Sequence, residues 1–489
     1  MNGERTAGVF CSVLDNEGIR RIHEASLAIL ERVGVQVPHE DALSRFADSG
    51  AEVDFAARRV RIPHDLVMCL VGKAAVEFTL YGRDLGRAAR FGQGTRNYNS
   101  IAGEAWWVDA PGEKRRPPTM KDVATAGRFA QALPWINVVG AMADPLGAAD
   151  GVREPVEMRC VEVLATLLAH TTKPVHIWFH DRASARFLVE LMIALRGDAE
   201  RAAAYPVCYP FLEPISPLRF PFHGVDLLYE TARLNLPVPV GPMAQMGLSA
   251  PATIAGTMAQ ENAEILAGVC IAQLISPGAP VCYGGICHAF DMATTQLIFS
   301  GPEQAIFGVA MTQMGKHYGL PVYVNVGLTD SKRPDAQAGL EAGVTLAFAA
   351  AAGADIFGHM GISGVDQAAS LDMLVMQEEV IAYVESALRA FEISDETLAL
   401  DVIEDAGPGG GFLDATHTVE RFRRELWFPR LLDRQFYDAW LDGGARGMEE
   451  RCAARKEEIL ASAECDPLPE DVARAFREIV AAARRESAS

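Results

Sequence analysis

Gly327-Leu-Thr-Asp-Ser-Lys-Arg-Pro-Asp-Ala-Gln-Ala-Gly-Leu-Glu341 follows a mostly apolar run, residues 320–326. The run reads as a buried strand, and the stretch after it as a polar loop in which a helix begins. A polar loop at the exit of such a strand is where a (β/α) barrel keeps its chemistry. This loop offers Asp330, Lys332, Asp335, Gln337 and Glu341.

Outward from it the pattern is rhythmic. Apolar, β-branched runs occupy residues 135–141, 174–179, 206–212, 237–243, 280–286, 321–326, 354–357 and 398–403. Ala- and Leu-rich helical segments fill the gaps, as at 156–170, 184–195 and 254–275. Strand–helix alternation implies parallel pairing, and eight repeats imply closure: an α/β TIM (β/α)8 barrel. Several runs begin with Pro, where no ladder donor is needed. An open doubly wound sheet is the other architecture, but no Gly-x-Gly-x-x-Gly follows the first run.

The barrel is expected over 126–415, behind an N-terminal α+β extension at 1–125 and ahead of a C-terminal helical region at 416–489. Within the extension, Ile19, Ile22, Ser26, Ile29 and Val33 follow helical spacing with Gly34 as a stop. A short helix is expected over 40–48, a hairpin or bent strand over 53–62, and an alternating strand over 76–81.

Composition sets the bounds. The chain has 489 residues and 49% hydrophobic content, ordinary for a globular protein with a large core. No apolar run reaches the roughly 18 residues of a membrane span, and residues 1–7 show no secretory h-region. Nine scattered cysteines fit reduced thiols in a cytoplasm. The net charge of −20 argues against nucleic acid. It serves solubility, or attraction of a cationic substrate or basic partner.

The predicted strand ends gather Asp144; Trp178, Phe179 and His180; Tyr209, Phe211 and Glu213; Met243 and Gln245; Cys287 and His288; Asn325 and Asp330; His359; Glu404 and Asp405. The N-terminal region adds Asn97, Tyr98, Asn99, Trp106 and Trp107. Aromatics are plentiful there and fixed cations few. Aromatic faces attract quaternary ammonium through the ring quadrupole. Tyr98, Phe211 and Trp178 or Trp106 are candidates for such a cage, or ordinary core. His359, flanked by glycines, is either a core histidine or a hydrogen-bond donor to a substrate carboxylate. Cys282, Cys287 and His288 invite a zinc reading, but the two thiols have opposite strand parity and should face opposite sides. Gly407-Pro-Gly-Gly-Gly-Phe-Leu413 after the last run is a flexible turn, or a loop that lets phosphate, a flat macrocycle or a partner approach backbone.

Taken together, Ile22 to Leu30 with Gly34, Pro302-Glu303, Tyr318 to Pro321, Asp330-Ser-Lys332, Gln337 to Glu341, Gly407 to Leu413 and His417-Thr418 resemble the trimethylamine methyltransferase family over nearly the whole chain. The resemblance implies a TIM barrel that passes a methyl group to Co(I) of a corrinoid (cobalamin) held by a partner protein. Members that use trimethylamine carry pyrrolysine; this chain has no non-standard residue. Members without it include enzymes that demethylate glycine betaine and related quaternary amines.

On this reading Tyr98, Phe211 and Tyr209 contact the ammonium, with Gln245 also at the substrate, and His359 binds the carboxylate. Asp330, Gln337, Gly409, Gly410 and Gly411 lie near the corrinoid or its protein. Catalysis is by positioning, with no acid–base residue and no tightly bound metal. A homo-oligomer is plausible. The other readings are a zinc methyltransferase or decarboxylase on a similar barrel, a non-catalytic quaternary-amine binder, and direct transfer to tetrahydrofolate.

Overall fold

A computed structural model describes residues 11–145 and 158–487. The reading of residues 1–7 and the start of the helix expected at 156–170 lie outside these. The fold is mixed α/β around a parallel central sheet. Five strands pair in the order Val238–Val240, Val281–Gly285, Val322–Asn325, Ile356–Met360, Asn97–Ser100, all parallel. Val139–Gly140 pairs in parallel with Val175–His176. Single contacts link the two groups. Asn99 bridges Val138 and Leu212 bridges Val240, both parallel, while Val175 N–H donates to Val207 O at 3.0 Å.

One expected strand is replaced. Residues 398–403 are helical, within Asp395–Leu398 and Leu400–Ala406. Ser394 and Thr397 form a reciprocal cap there, a helix start hidden behind an apolar run. Leu398, Leu400 and Ile403 of that run stay exposed, Leu400 at 63%. Its place beside Ile356–Met360 is taken by Asn97–Ser100, a polar tetrad in the region read as an extension. That strand is buried at every position, so its amides need partners: Asn97 Nδ2 donates to Asp355 O at 2.9 Å and Asn99 Nδ2 lies 3.0 Å from His176 Nδ1.

Side-chain alternation along the strands divides the apolar residues into two clusters. Phe78, Leu80, Phe91, Tyr209, Phe211, Cys282, Tyr323 and Ile356 form the inner one. Val281, Tyr283, Val322, Val324 and Phe357 point outward to the helices. The antiparallel hairpin Phe78–Tyr81 with Ala88–Phe91 closes one end of the inner cluster. It is tied to the segments that precede the strands: Tyr81 N–H donates to Pro206 O and Gly92 N–H to Asp355 Oδ1, each at 2.8 Å.

The remaining elements support this core. Helix Asn16–Arg32 starts on Asp15, which accepts from Gly18 N–H at 2.7 Å, and ends before Gly34 at φ +77°. Val53 pairs with Val60 in the expected hairpin. Lys173 is buried with its ammonium on the carbonyls of Ala130, Leu133 and Ile136 at 2.6–2.8 Å. It satisfies a helix C-terminus and the turn after it. The last helices pack on the exterior. Met448–Ser462 is anchored by Lys456 on Asp372 at 2.9 Å. Glu470–Ser487 is linked through Arg484 to Glu162 at 2.5 Å.

Candidate active site at the strand exits

At the end opposite the hairpin the strands open into a cavity of about 750 Å³, within the roughly 300–1,000 Å³ of small-molecule sites. The exits line it in turn: Gly103 and Glu104; Trp178, Phe179 and His180; Phe211 and Glu213; Gly241, Met243 and Gln245; Ile286; Asn325; His359 and Asp366. A second concavity of about 620 Å³ lies among Phe391, Ile393, His417 and Arg421, and no strand-end residue lines it.

Aromatic rings form the base. Phe211 meets Trp178 edge-on at 6.2 Å and Tyr323 at 5.3 Å. Gly241 makes room for it, since a Cβ there would stand 2.7 Å from the Phe211 ring. Trp178 is fixed by Nε1–H donating to Gly103 O at 3.1 Å. His359 lies 6.0 Å from Trp178 with perpendicular planes. Strand parity alone would turn His359 outward with Phe357. A register shift between Phe357 and Met360 re-aims it into the cavity. Its Nε2 is buried without a hydrogen-bond partner, as is Asn325 Oδ1. Burial holds the His359 imidazole well below its usual value, helped by His176 and His288, so the ring is neutral.

Carboxyl groups form the upper part. Burial lifts Glu104 to about 8, with Asp366 and Asp144 adding repulsion. Burial lifts Glu213 to about 7 and Asp366 to about 6, the latter countered by its hydrogen bond with Glu104. Glu213 is exposed at the wall of the cavity. Gly364, Val365 and Asp366 carry φ of +64°, +53° and +56°. The left-handed region is unfavourable for β-branched Val365, and such outliers cluster at functional sites. The lining contains no Lys or Arg among the described residues. Arg115 stacks on Trp106 and donates to Gln367, while Lys332 gives its ammonium to Asp330 O.

The exits are held by buried side chains from the helices. Glu261 accepts from Ala244 N–H at 3.0 Å and Ile286 N–H at 2.8 Å. Gln377 accepts from Gly361 N–H at 2.6 Å and donates to Gly327 O at 2.8 Å.

Of the residues read from the sequence, Phe211, Gln245 and His359 line the cavity together. Tyr209 is one layer below, fully buried against Phe91 and His176. Tyr98 is not at the cavity. Its parity is opposite to Asn97 and Asn99, so it points outward, stacks on Phe357 at 5.2 Å and donates to Glu385 Oε1 at 2.5 Å. Asp330 accepts from Phe299 N–H at 2.9 Å, and Gln337 pairs with Glu341 at 2.8 Å. Gly409, Gly410 and Gly411 are exposed on a loop that follows a helix, not a strand. Glu404 and Asp405 lie on that helix. Cys282 and Cys287 fall in different clusters, one inner and one outer. His288 is stacked on Phe299 at 4.7 Å. Glu104 and Asp366 were not among the sequence candidates. Each sits three to six residues past a strand end, in Gly-containing turns whose chemistry is one carboxyl apiece.

Comparison with known proteins identifies the family. The family model described as trimethylamine methyltransferase (MTTB) matches residues 5–488. The chain is 30% identical to a glycine betaine methyltransferase of Desulfitobacterium hafniense over 453 residues, 92% of each chain. It is 28% identical to the trimethylamine methyltransferase MttB of Methanosarcina thermophila, over 95% of this chain and 96% of that one. Among solved structures, the Methanosarcina barkeri monomethylamine methyltransferase (MtmB) superposes with a TM-score of 0.55 at 10% identity, covering 98% of this chain and 88% of that one. With a family model that spans almost its entire length, the chain belongs to the trimethylamine methyltransferase family.

Proposed function

We propose that the chain moves a methyl group from a quaternary amine to Co(I) of a corrinoid carried by a partner protein, on a closed (β/α)8 barrel. The observation that carries this reading is a strand-exit cavity that sets the aromatic faces of Trp178 and Phe211 beside carboxyl groups, with no Lys or Arg among its described lining residues. Closure is supported by the parallel contacts, which run strand to strand from Asn97–Ser100 through residues 206–212 and back to Ile356–Met360. The domain division belongs to the same proposal, with Asn97–Ser100 counted to the barrel.

A quaternary ammonium already carries its positive charge and departs as a neutral amine. The protein therefore needs no proton donor at nitrogen. It must hold one N–CH3 in line, exclude water and balance the charge. Trp178 and Phe211 supply faces for the cation, and neutral His359 offers a hydrogen bond to the other end of the substrate. When bound, the corrinoid supplies the Co(I) nucleophile. The mouth suits a flat macrocycle and its carrier, because Ile215, Leu248 and Met292 are exposed around it at 45, 59 and 65%. Asp330, on the loop leaving Val322–Asn325, and Gln337, in the first turn of the helix Ala336–Ala352 after it, would flank that approach.

Glycine betaine, named for the Desulfitobacterium relative, is the first amine to assay. Cysteines that are all free support a reducing cytoplasm. Exposed Phe391, Leu413 and Phe436 support self-association. The test is methylcobalamin formation, followed by absorbance, from Co(I) cobalamin and a panel of quaternary amines. Formation with one of them is expected. No formation with either free cobalamin or the cognate corrinoid protein would overturn the reading.

A further inference from the structure

We infer that Glu104, Glu213 and Asp366 form the counter-charge site for the substrate ammonium, so that the cavity takes up a methylated cation in exchange for protons and favours net cations over zwitterions. The inference rests on the quaternary-amine reading of the cavity and adds the residues that set its charge preference.

The three carboxyl groups come from three different strand exits and meet in one cavity. Glu104 and Asp366 share a hydrogen bond, so one proton serves both. Two further groups point to a ligand between the aromatic base and these acids. His359 is 6% exposed and Asn325 2%, both line the cavity, and each carries a buried polar atom without a hydrogen-bond partner. Buried polar atoms ordinarily have partners. No described cation neutralises the trio: Arg115 and Lys332 approach the rim but are engaged by Trp106, Gln367 and the Asp330 carbonyl.

Without a cation, crowding and mutual repulsion keep these carboxyls protonated to unusually high pH. A bound ammonium reverses the balance and ionises them, and the protons leave to solvent. The other titratable groups facing them are Asp144, His180, His223, Tyr323 and His359. Of these His359 is held neutral by burial. A zwitterion carries its own carboxylate, which already balances part of the ammonium charge, and so gains less.

Isothermal calorimetry without any corrinoid separates this from methyl transfer. Three probes share one shape: choline, glycine betaine, and the neutral carbon analogue 3,3-dimethylbutanol. At pH 7 choline is expected to bind at least ~10-fold tighter than either of the others. Its enthalpy should differ between phosphate and Tris buffers in the sense of proton release. Glu104→Gln and Glu213→Gln, each verified as folded by its melting transition, should shrink both the preference and the proton release. Betaine or the neutral alcohol binding as tightly as choline would overturn the inference. So would a buffer-independent enthalpy, choline binding unchanged in both variants, or no choline binding at all. Methylcobalamin formation remains a separate readout, so loss of one result does not imply loss of the other.

Discussion

The indole of Trp178 and the imidazole of His359 stand perpendicular with centroids 6.0 Å apart, on strand exits separated by 180 residues of chain. On the proposed reading the indole faces the substrate cation, and the neutral imidazole supplies a hydrogen-bonding nitrogen. Replacing Trp178 by Ala should weaken binding of a methylated ammonium by the contribution of one ring, ~0.5–2 kcal/mol, or roughly 2- to 30-fold in Kd. Trp178→Phe should recover part of it. Calorimetric Kd values for the three proteins check this. An unchanged Kd in Trp178→Ala would remove the indole from the site.

His359→Ala tests the other half. It should raise KM for glycine betaine more than for choline, because only the former presents a carboxylate to the ring. Equal effects on both substrates would assign His359 to packing with Trp178 and Tyr323 rather than to substrate recognition.

Tyr98 gives the opposite expectation. Tyr98→Phe removes the hydroxyl from Glu385, which also receives Arg96 at 2.6 and 2.8 Å. Stability should fall by about 1–3 kcal/mol, measured by urea unfolding. Ammonium binding should stay within about 2-fold, since the ring faces away from the cavity. A large loss of affinity would return Tyr98 to the cage.

Melting temperature should depend on pH through the cavity. Glu104 and Glu213 have folded values raised from 4.5 to about 8 and about 7. Raised carboxyls contribute stability that is present below the unfolded value and is lost as pH rises through the folded one. Through these two groups the unliganded protein should therefore lose stability from about pH 4.5, where the unfolded chain ionises, up to about pH 8, where the folded one does. His176 and His359 act on the other side. Their values lie below 6.5, His176 at about 3, so stability falls as pH drops below 6.5. Saturating tetramethylammonium should flatten the alkaline limb. A limb that persists with the ligand and in Glu104→Gln would assign it to other groups.

Lys173→Met keeps the side-chain length but leaves the carbonyls of Ala130, Leu133 and Ile136 without their ammonium. A loss of about 3 kcal/mol or more is expected from unfolding curves. Loss below about 0.5 kcal/mol would mean that water replaces the ammonium there.

The alternation of apolar runs with Ala-rich helices was enough to place the strands at 238–240, 281–285, 322–325 and 356–360, because burial on both sides leaves a continuous apolar signature. It also sufficed to bring Phe211, Gln245 and His359 to one end, and to set Cys282 and Cys287 on opposite sides by parity. Asn97–Ser100 escaped notice because its inward residues are amides. Their burial is compensated by partners more than 70 residues away, such as His176 and Asp355. Residues 398–403 misled because an apolar run has no strand without a neighbour to pair with, and the local cap at Ser394 favoured a helix. Tyr98 was legible in principle, since its parity opposes Asn97 and Asn99.

The carboxyl pair was not legible. Glu104 and Asp366 are 262 residues apart in sequence, and nothing local distinguishes either from a solvated acid. Only the parallel pairing of Asn97–Ser100 with Ile356–Met360 carries both turns to the same cavity, where lost hydration and mutual repulsion give them their chemistry. Side-chain polarity along the chain marked which segments could be buried strands, because burial is written in it. Which polar groups meet was decided by tertiary structure, because electrostatic coupling depends on distance through space and not along the chain.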